Sequence, residues 1–158
     1  LNLYLLTGSN LDHPLNQLLK AKLLLELQFG EVKQQSSIYK TAPWGNPNQP
    51  DFYNQVLQFD IDFEPTYVLD VILKIEQDMG RIRSAKWEPR VIDIDILFIS
   101  ETVIQIPSLQ IPHPHIASRR FVLEPMVEIA PEFVHPQLQQ NMQLLLAICK
   151  DTCLVEKM

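Results

Sequence analysis

The sequence predicts an α+β fold, an antiparallel sheet with helices packed on it. Two observations predict it. Stretches such as "FYNQVLQFDIDF" and "RVIDIDILFIS" alternate apolar and polar residues with period two, as half-buried strands do. Between such stretches lie runs with apolar residues at helical spacing, each opened near a proline and closed by a glycine.

The elements come in order along the chain. "LNLYLLTGSN" is a short apolar run ended by Thr7-Gly8-Ser9-Asn10, which reads as a strand and a tight turn. In "HPLNQLLKAKLLLELQFG", Leu15, Leu18, Leu19, Leu23 and Leu25 have helical spacing, and Gly30 is the stop. "EVKQQSSIYKTA" is a strand of mixed polarity. "PWGNPNQPD" is a loop dense in Pro, Gly and Asn. "FYNQVLQFDIDF" is a strand, with Val56, Phe59 and Ile61 marking its apolar bias. "EPTYVLDVILKIEQDMG" is a helix, with Pro65 in the tolerated first turn and Gly80 closing it. A polar loop, "RIRSAKWEP", leads into the strand "RVIDIDILFIS".

The order β-α-β-β-α-β is the split βαβ, or ferredoxin-like, order, with helices expected on one face of the sheet. Beyond it lies a C-terminal extension. "TVIQIPSLQIPHPHIASRR" suits short edge strands and loops, while "RRFVLEPMVEIAPEF" and "NMQLLLAICKD" read as short helices. With 158 residues and neither repeat nor linker, the chain reads as a single domain over 1–158.

Composition narrows the function. Hydrophobic residues make up 46% of the chain and charged residues 20%, enough apolar side chain for a core. The formal charge of −6 argues against broad nucleic-acid or anionic-membrane binding. No apolar run reaches the roughly 20 residues of a membrane span, and the opening residues do not read as a signal peptide. Cys149 and Cys153 are too few for a metal cage; they read as thiols packing the last helix in a reducing, cytoplasmic setting. His13 and His135 read as surface residues.

Chemistry concentrates at "KWEPRVIDIDILF". Period two puts Asp93 and Asp95 on one strand face, roughly 7 Å apart at Cα. Two unpaired carboxylates there repel, so the face is either wetted or holds cations. Mg²⁺ commonly takes one or two carboxylates and completes its shell with phosphate oxygens. Arg81, Arg83, Lys86 and Arg90 crowd the loop leading into the aspartates, and guanidinium forks suit phosphate oxygens. A salt-bridged surface loop is the bland alternative. Together the two features point to Mg-nucleotide chemistry. In "PHPHIASRRF", His113 is a candidate phosphate donor and Arg119 adds positive charge; Phe121 reads as core packing. "YKTAPWGNPNQPDFYN" carries Trp44, Phe52 and Tyr53, aromatics able to grip a flat ring, with Asn groups suited to a ring edge. No P-loop, dinucleotide fingerprint or nucleophile elbow is present.

"KWEPRVIDIDIL" closely resembles the signature of the 6-hydroxymethyl-7,8-dihydropterin pyrophosphokinase family of folate biosynthesis. "TGSNL", "YKTAPWG…QPDFYN", "IEQDMGRIR", "IPHP…SRRFVLEP" and "EIAP" extend the resemblance, in family order, over residues 4–131. The resemblance implies transfer of the β,γ-diphosphate of ATP to the hydroxymethyl oxygen of the dihydropterin, releasing AMP. It implies two Mg²⁺ ions on Asp93 and Asp95. Arg81, Arg83, Arg90, His113 and Arg119 would contact ATP phosphates, with Arg81, Arg90 and Asp95 in the catalytic role. Glu76 and Trp87 would frame the nucleotide. Phe52 and Phe121 would sandwich the pterin, Asn54 and Thr41 would bond its edge, and Trp44 would lie beside it. A cytoplasmic monomer, with no nucleic-acid or membrane partner, completes the expectation. Glu88 departs from the pattern, standing where the family usually has a small residue. An RNA-binding module of the same fold order, or a nucleotide hydrolase using the same aspartates, are the competing readings.

Overall fold

The computed structural model describes residues 1–43, 48–80 and 91–158. Its first strand, β1 (Asn2–Ser9), leads to helix α1 (Pro14–Phe29), then to short strands β2 (Gln34–Gln35) and β3 (Tyr39–Thr41). Strand β4 (Phe52–Asp60), helix α2 (Pro65–Asp78) and strand β5 (Asp93–Ile99) come next. The last third holds β6 (Ile104–Ile106), β7 (Leu109–Ile111), α3 (Arg120–Ile129), α4 (Met142–Ile148) and β8 (Val155–Lys157). The chain is thus a mixed fold of helices on an antiparallel sheet. The main sheet has the order β5-β1-β4-β3-β8, with β2 also paired to β4; β6 and β7 form a separate hairpin.

β1 lies between β5 and β4, inside the sheet, and is apolar on both faces. Leu3 and Leu5 face one side, and Tyr4 and Leu6 the other. Such a strand must be covered twice. On the first side, Leu18, Ala21, Leu25 and Phe29 of α1 and Val68, Ile72 and Ile75 of α2 pack against Leu3, Leu5, Leu57, Phe59, Ile94 and Ile96. On the second, Val122, Leu123 and Met126 of α3 and Met142 and Leu145 of α4 cover Tyr4, Leu6, Val56, Leu97 and Phe98. The expectation of helices on one face therefore holds for α1 and α2 only.

Several local readings change in the same way. On α1, Leu15, Leu19 and Leu23 lie on the exposed side, and the core stripe runs through Leu18, Ala21, Leu25 and Phe29. The expected turn at Thr7-Gly8-Ser9 is still strand. The mixed-polarity strand is split into β2 and β3, both antiparallel to β4. Gly30 and Gly80 do end their helices, with φ of 90° and 88°, a backbone shape that glycine adopts without a side-chain penalty. Cys149 caps α4 and Cys153 lies beyond it, so the two thiols do not share a helix. His135 is 5% exposed and packs edge-on against Phe98, contrary to the surface reading. Burial lowers its pKa, and its Nδ1 accepts the Gln137 and Leu138 N–H groups.

A bulge explains the apolar run after the aspartates. Leu5 pairs with Ile96 and Tyr4 with Phe98, so Leu97 is an extra residue. Ile94 and Ile96 face α1 and α2, whereas Leu97 and Phe98 both face α3 and α4. Asp93 and Asp95, alternating with Ile94 and Ile96, fall on the α3 side.

Among the described residues, no helix is long and apolar enough to cross a membrane.

Candidate active site

Register builds the site. In antiparallel ladders, directly paired residues project to the same face. Asp93 pairs with Gly8, Gly8 with Asn54, Asn54 with Tyr39, and Tyr39 with Lys157. One row thus crosses the sheet on the α3 side. Thr41 pairs with Phe52 two residues along, and so joins the same face. Asp95 lies two residues from Asp93 on that face as well. The sheet therefore places Thr41, Phe52, Asn54, Asp93 and Asp95 on one surface. Thr41 and Asn54 are buried, and Phe52 and both aspartates are half-buried.

Gly8 is the centre of this row for a steric reason. A β-carbon there would stand 2.5 Å from Oδ1 of Asn54. The missing side chain leaves room for the Asn54 amide to lie across β1. Local sequence pattern assigns Gly8 to a turn; its partner in the sheet is Asn54, far along the chain, which no local pattern reveals.

Asn10 is likewise read in the sequence only within that turn and the "TGSNL" stretch, with no role of its own. It is 1% exposed, and its Nδ2 donates to Oε1 of Gln49 at 3.0 Å and to the Pro50 carbonyl at 3.1 Å. These bonds tie the end of β1 to the chain entering β4. They hold the start of the strand that carries Phe52 and Asn54.

Glu76 sits on α2, 4% exposed, and its Oε2 accepts the Ile94 N–H at 2.8 Å. That bond pins α2 to β5 at the residue between the two aspartates. It fixes the strand segment from which both carboxylates project.

The second wall comes from the chain between β7 and α3. The His113 N–H donates to the Leu97 carbonyl at 3.1 Å, which sets this segment alongside β5. Nδ1 of His113 accepts the His115 N–H at 3.2 Å, so the neutral ring carries its proton on Nε2. Burial, then the charges of Arg119 and His115, push the His113 pKa down to about 4; the Asp93 carboxylate opposes them. The imidazole is therefore an uncharged donor at neutral pH. Arg119 precedes the first turn of α3, and its guanidinium lies 5.6 Å from the centre of the Phe121 ring. Phe121 is half-buried at the edge of the second core rather than wholly within it.

The described structure thus brings eight expected residues together around one sheet end: Thr41, Phe52, Asn54, Glu76, Asp93 and Asp95 on or against the sheet, and His113 and Arg119 beside them. Trp44, Arg81, Arg83, Lys86, Trp87, Glu88 and Arg90 lie outside the described residues. Among the described residues, no three His, Cys, Asp or Glu side chains form a metal cage. Two carboxylates on one face still suit Mg²⁺, which keeps positions for water and phosphate oxygens. Chemically, the surface offers hard oxygen ligands, a neutral N–H donor, a guanidinium and a half-buried ring beside an amide.

Comparison with known proteins gives the family of the chain. The model of the family described as 7,8-dihydro-6-hydroxymethylpterin-pyrophosphokinase (HPPK) matches residues 4–131. The chain is 40% identical over 133 residues to the 2-amino-4-hydroxy-6-hydroxymethyldihydropteridine pyrophosphokinase of Aquifex aeolicus, covering 84% of this chain and 82% of that protein. It is 38% identical over 137 residues to the enzyme of the same name from Haemophilus influenzae, covering 86% of each. Among solved structures, Plasmodium falciparum HPPK-DHPS with pteroate superposes with a TM-score of 0.75 at 18% identity. That match covers 92% of this chain but 42% of the longer Plasmodium chain, and at such identity it speaks for the fold alone. With the family model spanning most of its length, the chain belongs to the 7,8-dihydro-6-hydroxymethylpterin-pyrophosphokinase family.

Proposed function

We infer that the chain is an ATP:6-hydroxymethyl-7,8-dihydropterin pyrophosphokinase of folate biosynthesis. It transfers the β,γ-diphosphate of ATP to the hydroxymethyl group and releases AMP. Membership of the family carries this reading. The observation in the structure that supports it is the shared face of Asp93, Asp95, Asn54, Thr41 and Phe52.

The hydroxymethyl oxygen attacks the β-phosphorus, the bond from that phosphorus to the oxygen bridging to the α-phosphorus breaks, and AMP leaves with that oxygen. The hydroxyl proton passes to an aspartate carboxylate. Asp93 and Asp95 would hold two Mg²⁺ ions, which supply Lewis-acid charge to the phosphates and lower the pKa of the attacking hydroxyl. Asp95, close to that hydroxyl, is the proton acceptor of this scheme. His113 donates from Nε2 to a phosphate oxygen without adding a charge that titrates near neutrality. Arg119 adds fixed positive charge at the mouth of the site. Arg81, Arg83 and Arg90 clamp the remaining phosphate oxygens, and Arg81 and Arg90 oppose the charge that builds during transfer. Glu76 and Trp87 frame the nucleotide, Glu76 through its hold on β5.

The pterin lies between Phe52 and Phe121, beside Trp44. Asn54 presents both an acceptor and a donor to the ring edge, and Thr41 a hydroxyl. A flat heterocycle held on both faces presents its hydroxymethyl group in one direction, which is what orientation contributes to the rate.

We read the β5-β1-β4-β3 core with α1 and α2 as ferredoxin-like, the part from β6 onward as a C-terminal extension, and 1–158 as one domain. A cytoplasmic monomer acting on small molecules is the matching biological picture.

Incubation with Mg-ATP tests the reaction. AMP should form only when the dihydropterin is added. ADP as product, or ATP consumption without pterin, would instead establish the hydrolase or a simple kinase.

A further inference from the structure

Glu128, near the C-terminal end of α3, has no direct part in the chemistry above, yet three residues at the β3–β8 side of the sheet converge on its carboxylate. Oε1 accepts the Ser37 N–H at 2.7 Å and the Tyr39 hydroxyl at 3.0 Å. Oε2 accepts the Ser37 hydroxyl at 2.7 Å and lies 3.3 Å from the Lys157 ammonium. Ser37 precedes β3, Tyr39 opens it, and Lys157 lies on β8, paired with Tyr39. The Glu128 side chain is 25% exposed, so these bonds are only partly wetted.

The spacing on α3 links this cluster to the site. Positions seven apart on a helix share a face, so Phe121 and Glu128 lie on one stripe, roughly 10 Å apart along the axis. Glu124, on the same stripe, also acts electrostatically on Tyr39. The stripe therefore faces β3, where Tyr39 begins the strand that ends in Thr41.

The rest of α3 docks through Val122, Leu123 and Met126. Apolar contact is non-directional and resists rolling of a helix weakly. Charge-assisted hydrogen bonds are short and directional. Side chains reach roughly 5–6 Å from a helix axis, so a roll of about 20° would carry Phe121 by about 2 Å. Displacements of that size matter to substrate orientation.

We propose that Glu128 is a positioning residue for pterin binding: by locking α3 against β3 it aims Phe121 across the face that holds Thr41, Phe52 and Asn54. This rests on the pterin site of the proposed function.

Steady-state kinetics of the intact chain test it. With the other substrate saturating in each case, Glu128→Ala should raise the KM for 6-hydroxymethyl-7,8-dihydropterin about tenfold and leave the KM for ATP within about twofold. Glu128→Gln, which keeps one acceptor oxygen, should fall between, and Tyr39→Phe should give a rise of about threefold. Because the effect runs through Phe121, the Phe121→Ala/Glu128→Ala double variant should have no higher pterin KM than Phe121→Ala alone. A merely structural role would reduce active enzyme and melting temperature without this split. Unchanged pterin KM in the Glu128 variants, equal rises in both KM values, or multiplicative effects in the double variant would overturn the proposal. Should Glu128→Ala not fold, Glu128→Gln and Tyr39→Phe decide it on the same comparison. If Phe121→Ala itself leaves the pterin KM unchanged, the pterin-site reading has failed, and this inference with it.

Discussion

Gly8 and Asn54 are neighbours across β1 and β4, so close that a β-carbon on Gly8 would reach to 2.5 Å from Oδ1 of Asn54. Asn54 is buried, and its amide must shift to admit that carbon. Gly8→Ala should turn that amide away from the face it shares with Thr41. We expect the pterin KM to rise about tenfold, close to the effect of Asn54→Ala, with the KM for ATP little changed. Equal, small changes in both KM values would show that the amide plays no part in ring recognition.

Asp95→Ala should abolish measurable AMP formation, a loss of at least about a hundredfold. Asp95 is half-buried on β5, and its removal leaves the flanking Ile94 and Ile96 in the first core. Circular dichroism should therefore match the parent chain. A variant that keeps near-normal turnover would contradict the role given to the carboxylate.

Phe98→Ala should cost about 3–5 kcal/mol in urea unfolding. Phe98 is fully buried, with ring centres of Phe133 at 4.7 Å, His135 at 5.4 Å and Tyr4 at 6.3 Å. A loss under about 1 kcal/mol would mean the C-terminal helices do not form a packed second layer.

The Glu128 cluster also sets a pH dependence. Burial alone would raise the Glu128 pKa, but hydrogen bonds from Ser37, Tyr39 and Lys157 outweigh it and hold the carboxyl below its ordinary value of 4.5. A depressed acid contributes stability that is complete above about pH 4.5 and lost as the pH falls through the folded-state value. Tyr39 has the opposite sign: burial, then the bond and charge of Glu128, push its pKa above 10.0, so its contribution is complete below that pH and is lost above it. Melting temperature measured from pH 3 to 7 should fall less steeply on the acid side in Glu128→Gln than in the parent. Identical slopes would remove Glu128 from the acid response.

Much of the fold is legible in the chain because regular elements carry their period there. The alternation through Asp93 and Asp95 fixes their common face, and Gly30 and Gly80 mark helix ends. The rest depends on contacts distant in sequence. "LNLYLL" is apolar at every position from Leu3 to Leu6, which implies two covered faces, yet only the packed structure shows α3 and α4 supplying the second. The bulge at Leu97 makes two successive residues face one side, which strict alternation forbids. His135 reads as a surface residue because its acceptor role and ring contact with Phe98 arise from a turn folded onto the second core. Glu128 is invisible in the sequence because Ser37 lies 91 residues away. In the site, residue types reveal the chemistry, while register decides which residues share a surface.

The most direct test of the central claim is the phosphorus spectrum of the pterin product after reaction with Mg-ATP. Two coupled phosphorus signals on the pterin, with AMP as the nucleotide left behind, are the result expected from attack at the β-phosphorus. A single phosphate on the pterin, or free pyrophosphate beside unmodified pterin, would contradict the account.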